Sequence, residues 1–91
     1  MDKAVFQKLA EKQAQFVVNY RKLKNPSFIT WGVVTADLSC DYIQKQLKTF
    51  KRKIGDNQVL LWNWRYDSPL VLDLDQVVNI QPHRLDRPER L

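Results

Sequence analysis

Residues 58–82 read QVLLWNWRYDSPLVLDLDQVVNIQP, and this stretch decides the architecture. The apolar run Val59-Leu60-Leu61-Trp62-Asn63-Trp64 breaks at Asp67-Ser68-Pro69, resumes as Leu70-Val71-Leu72, and ends in Asp75-Gln76-Val77-Val78-Asn79-Ile80. These are three short strands joined by connections too short for a crossover helix. Neighbouring strands must therefore pair antiparallel and curl into a small sheet or barrel.

Upstream, Phe16, Val18 and Tyr20 alternate with Val17, Asn19 and Arg21, the period of two expected of a strand with one buried face. Asn25-Pro26-Ser27 supplies a turn, because proline fixes its own backbone angle and biases Asn25 away from helix. Phe28 to Thr35 is rich in β-branched and aromatic residues and should pair with the preceding strand as a hairpin. Gly32 stands in its middle, where a glycine signals a bulge, a bend or the close approach of another group. In a small barrel a sharply bent second strand allows the sheet to close on itself.

Two segments carry a helical period instead. From Asp2 to about Gln13, Val5, Phe6, Leu9 and Ala10 cluster on one face, with Lys3, Lys8, Glu11 and Lys12 on the other. Such a short helix is marginal alone and must pack on something. From Ser39 to Lys53, Ile43, Leu47 and Phe50 share a face; Ser39 or Asp41 can cap the start and Gly55 can end it. This segment, with the turn at Asp56-Asn57, forms an insertion over residues 39–57 between the second and third strands. After Pro82 the tail, residues 83–91, has no periodicity and is expected to be extended or disordered.

Ninety-one residues with three Trp, three Tyr and four Phe describe one folded domain, here residues 1–82, and not a disordered chain. The one cysteine, Cys40, cannot form an internal disulfide, which points to a reducing compartment and leaves no cysteine-based zinc site. The opening Met-Asp-Lys-Ala-Val-Phe-Gln-Lys has no long apolar region, and nowhere does the chain offer the roughly 20 apolar residues of a membrane span. A soluble, cytoplasmic protein without a membrane partner is the expectation. The net charge of +5 favours polyanions as partners.

The order of helix, strand, bent strand with a central glycine, insertion and three further strands resembles the Sm-like fold of the Sm, LSm and Hfq proteins. Trp31-Gly32-Val33-Val34 looks like the core of the first Sm motif, and Val77 to Pro82 looks like the last strand of a bacterial member. Tyr20, the strand from Trp31 to Leu38, the insertion, and Val59-Leu60-Leu61-Trp62 are together similar to small Sm-like proteins of tailed phages. The resemblance implies a mainly β fold, a small five-stranded, SH3-like barrel with an amino-terminal helix. It also implies a closed homo-oligomeric ring, pentamer to heptamer, and a place in the host cytoplasm if the chain is phage-encoded. In that family the fourth strand of one subunit pairs with the fifth of the next. Leu70, Val71, Leu72, Val77, Val78 and Ile80 are therefore the expected interface. Two departures bear on RNA: Asp37 falls one position short of the family's loop aspartate, and Leu74-Asp75 stands where relatives carry Arg-Gly or Lys-His. The family's RNA site does not transfer residue by residue.

Candidate sites read from the residues themselves are few. Trp62 and Trp64 lie two apart with Leu60 beside them, the spacing of one strand face; burial is the commoner use of such a face, and a stacking platform with Arg65 as phosphate partner is the functional one. Lys45, Lys48, Lys51, Arg52 and Lys53 form a basic run suited to phosphates, though a solvated helix face and the helix dipole explain such charge as well. Cys40 and His83 have no orienting partner, and Asp73 and Asp75 lack further ligands for a metal. No nucleophile with its base, paired acid and base, or phosphate-cradling glycine loop is present, so neither an enzyme nor a cofactor is expected. Two functions remain: a non-enzymatic ring that binds RNA or single-stranded nucleic acid weakly, and a structural or protein-interaction oligomer with no nucleic-acid role.

Overall fold

The computed structural model describes residues 1–83. The order of elements is α1 (Lys3–Glu11), β1 (Phe16–Arg21), β2 (Ile29–Thr35), α2 (Asp41–Leu47), β3 (Gln58–Asn63), β4 (Ser68–Asp73), a single 3₁₀ turn (Leu74–Gln76) and β5 (Val77–Pro82). The five strands form one antiparallel sheet ordered β4-β3-β2-β1-β5. The mainly β reading and the β1–β2 hairpin therefore hold, and residues on both sides of the insertion share one sheet.

Alternation of side chains explains the core. Phe16 and Val18 of β1, Val34 of β2, Val59 and Leu61 of β3 and Leu72 of β4 point to one face, where Phe6 and Ala10 of α1 cover them. Phe6 and Ala10 are four apart and so share one side of the helix. Phe6 meets Phe16 edge to face, ring centres 6.0 Å apart. A second, smaller buried group lies outside that cluster. Trp62, of opposite parity to Leu61, and Ile43 of α2 are buried in it, and the Tyr42 ring stands edge-on to Trp62 at 6.2 Å. One helix thus serves each face of the sheet.

The sheet is unclosed: β4 and β5 are its two margins and do not pair with each other. Its narrowest seam is between β2 and β3, which are in register only at Val34↔Asn63 and Thr35↔Trp62, whereas β3 and β4 pair from Gln58↔Asp73 to Asn63↔Ser68. The insertion draws the chain away after Thr35, so β2 cannot follow β3 along its length.

Three boundaries differ from the sequence reading. The insertion helix was expected to run to Lys53 but ends at Leu47; continued, it would set Lys48 against Lys45 and Lys51 at three residues and against Arg52 at four, all like charges. Phe50 and the cations Lys51, Arg52 and Lys53 therefore lie off the helix. Neither Ser39 nor Asp41 is its cap: Cys40 holds that position without a side-chain bond, and Asp37 Oδ1 accepts from the Ser39 amide at 3.1 Å and hydroxyl at 2.6 Å in the turn before it. Gly55 ends no helix, and its amide donates to Gln58 Oε1 at 2.9 Å. Finally, β4 starts at Ser68 and includes Pro69, which a margin strand tolerates because no partner needs its missing N–H. The expected tail lies, after His83, outside the described residues.

Candidate nucleic-acid interface

Antiparallel order puts the β1–β2 and β3–β4 turns at one end of the sheet. The insertion leaves from, and returns to, the other end, and the β4–β5 connection crosses from that end, where Asp73 is opposite Gln58, to the β1–β2 end, where Val77 is opposite Tyr20. The β3–β4 turn is the most organised local structure. Asn63, buried at the end of β3, accepts the Arg65 amide at 2.9 Å and the Tyr66 amide at 3.3 Å on its Oδ1, an Asx turn written by the side chain of a strand residue. The Trp64 amide donates to the Val33 carbonyl at 2.9 Å, tying the turn to β2. Asp67 takes the left-handed conformation, φ 53°, that aspartate adopts more readily than most residues, and its carboxylate accepts the Tyr42 hydroxyl of α2.

These constraints set Arg65 and Tyr66 beside β2. The Arg65 guanidinium carbon lies 4.9 Å from the centre of the Trp31 ring and 5.7 Å from that of Tyr66, within cation–π range of both. Both rings remain open to solvent, Trp31 at 47% and Tyr66 at 68%, and Phe28 at 64% precedes β2 at the same end. Burial first, and then the neighbouring Tyr66, push the Tyr20 phenol above its ordinary 10.0. The β1–β2 turn adds exposed Arg21, Lys22 and Lys24; Arg21 Nη1 donates to the Pro26 carbonyl at 3.0 Å and closes that turn.

The structure separates the residues that the sequence grouped. Trp62 is buried, with Tyr42 and Trp64 edge-on to it at 6.2 and 6.3 Å, so it is no platform for bases. Arg65 is joined to aromatics, but to Trp31 and Tyr66. Lys45 projects from α2, and Lys48, Lys51, Arg52 and Lys53 follow it, all exposed, in the connection that returns to the far end. Of the expected interface residues, Leu72 and Val77 are buried in the core, Leu70 and Ile80 pack partly against it, Val71 is half-buried and Val78 is exposed.

The β4–β5 connection carries an exposed Asp75 and a fully buried Leu74. Gln76 holds it by accepting the Asp73 amide on Oε1 at 2.9 Å and donating from Nε2 to the Arg21 carbonyl at 2.8 Å. Cys40 is exposed, and no group of three or more His, Cys, Asp or Glu residues suited to a metal occurs among the described residues. No helix among them is long and apolar enough to cross a membrane. Sequence reasoning missed Trp31 as a partner of Arg65. The signal that could have found it is Asn63 two residues before Arg65, the spacing of an Asx turn, opposite a strand whose glycine adjoins Trp31. No protein-family model, curated protein or solved structure matches the chain.

Proposed function

We propose that the chain is a non-enzymatic, Sm-like module that assembles into a homo-oligomeric ring and binds RNA or single-stranded nucleic acid weakly through basic and aromatic surfaces. The observation that carries the assembly is the sheet order: β4 and β5 stand at opposite margins, and these are the strands through which the resembled family joins its subunits. Unprotected margins recruit other chains. Between Val77 and Pro82 there is no charged side chain to blunt such pairing and β4 carries only Asp73; Pro69 and Pro82, which have no N–H to donate, leave Leu70 to Leu72 and Val77 to Gln81 for it. A head-to-tail contact between two different margins generates a ring when its rotation closes. Leu72 and Val77 would keep their side chains in their own core, so the contact would be made by backbone hydrogen bonds with Val71 and Val78 beside them.

Analytical ultracentrifugation tests the assembly. The native chain should sediment as a closed oligomer at micromolar concentration, and Val78→Pro should sediment as a folded monomer. A native monomer would sink the ring.

The second reading, a structural or protein-interaction oligomer without a nucleic-acid role, draws on Asp75. An exposed carboxylate in the β4–β5 connection repels phosphate at the place where RNA-binding relatives carry cations. An intact ring that gives flat oligonucleotide titrations at low salt would select this reading.

A further inference from the structure

We propose that single-stranded nucleic acid is held at the end of the sheet formed by the β1–β2 and β3–β4 turns, with bases stacked on Trp31 and Tyr66 and phosphate bound by Arg65, and not along the lysine run of the insertion. This rests on the nucleic-acid reading above and names the site and form of the ligand.

Three observations converge. The Arg65 guanidinium carbon lies 4.9 Å from one ring centre and 5.7 Å from another, and no hydrogen bond from its N–H donors occurs among the described residues, so they can meet an anion. The two rings and Phe28 are exposed although large aromatics are valuable in a core, so they offer π-faces to a planar partner. The charge of this end is complementary to a phosphate backbone: Arg21, Lys22 and Lys24 are exposed in the adjoining turn and with Arg65 outnumber Asp67, whose carboxylate accepts the Tyr42 hydroxyl, and the exposed Asp75, whose neighbour Gln76 bonds the Arg21 carbonyl. The turn itself is held before any ligand arrives, by the two amides on Asn63 and the Trp64 amide on Val33. Preorganisation of this kind lowers the ordering cost of binding.

The form of the ligand follows from the chemistry. Paired bases hide their faces in the duplex stack, so exposed rings select unpaired bases, and every base has a face to offer. Duplex nucleic acid would meet only the cations. An acidic peptide would meet Arg65 and leave the rings unused.

The test is fluorescence anisotropy of a labelled mixed-sequence single strand with the full chain at low salt. Trp31→Ala and Tyr66→Ala should each weaken binding about tenfold or more. Trp31→Phe should retain most of the affinity, and Arg65→Lys should lose affinity despite its charge, because the flat face is gone. The triple variant Lys48→Glu, Lys51→Glu, Arg52→Glu should bind within about threefold of the native chain once salt dependence is matched. Unlabelled duplex should compete poorly. Both rings are exposed, and unchanged circular dichroism and urea midpoints will show that the variants fold. If the native strand complex forms but is abolished by the lysine variant and untouched at Trp31, Tyr66 and Arg65, the site falls while nucleic-acid binding stands. If an acidic peptide displaces the strand through Arg65 alone, the stacking site falls while strand binding stands; if no strand binds, both fall.

Discussion

A Cβ atom on Gly32 would stand 3.1 Å from Asn63 Nδ2, so the side chain that one residue lacks is the space that the other fills. Gly32 is thus a vacancy cut for its neighbour. Through Asn63 that vacancy reaches the β3–β4 turn, since the same amide side chain accepts from Arg65 and Tyr66.

Asn63→Ala should cost about 1–3 kcal/mol, because two backbone amides would lose the acceptor that organises them. Urea denaturation measures this. The variant should also weaken oligonucleotide binding, since Arg65 would no longer be held beside Trp31. A midpoint equal to the native one would show that the turn stands without its Asx bonds.

Gly32→Val should destabilise by about 1–3 kcal/mol, the usual range for forcing extra atoms into a packed site. Valine suits a strand and would stabilise an unconstrained one. The sign of the change therefore reports whether Asn63 can yield. Combined with Asn63→Ala, the glycine substitution should become nearly harmless, a non-additivity that a double-mutant cycle reads directly.

Trp62→Ala should cost about 3–5 kcal/mol, as for other large aromatics removed from a packed interior. Trp62 is 1% exposed, and its Nε1 is buried without a hydrogen-bond partner among the described residues. Trp62→Phe should accordingly be the mildest replacement, because it removes an N–H that nothing satisfies. Thermal unfolding of the two variants side by side checks the order.

The Tyr42 hydroxyl is held above its ordinary value of 10.0, first by its bond to Asp67 and then by desolvation and the Asp67 charge. A phenol whose folded pKa is raised stabilises the fold while protonated. That contribution is complete below pH 10.0 and is lost as pH climbs through the raised value. Ultraviolet titration of phenolate, with Tyr42→Phe as the difference, should place Tyr42 above 10.0, and Asp67→Asn should bring it down. The opposite sign applies at Asp37, whose carboxyl is lowered by the Ser39 hydroxyl and amide: its contribution is present above pH 3.8 and is lost as pH falls through the lowered value.

Of the fold, the elements with strong local periodicity were legible. Phe6 and Ala10 mark the inner side of α1, and the alternation in Phe16 to Arg21 marks which of its side chains are buried, whereas the apolar run of β3 buries Leu61, Trp62 and Asn63 in succession. Boundaries set by competition between distant groups were not. The helical period through Phe50 is real, yet like charges and the route back to β3 end α2 at Leu47. The site was legible only in part, because Arg65 is adjacent in sequence to Trp64 and Tyr66 but its cation–π partners are Tyr66 and Trp31 of another strand.

By itself the sequence determined that this chain would be mainly β with two amphipathic helices, because side-chain period and turn chemistry are properties of a few consecutive residues. Tertiary structure decided the rest. Whether the sheet closes, which tryptophan is buried and which ring meets Arg65 all depend on contacts between strands, and a chain read one window at a time contains no such contacts.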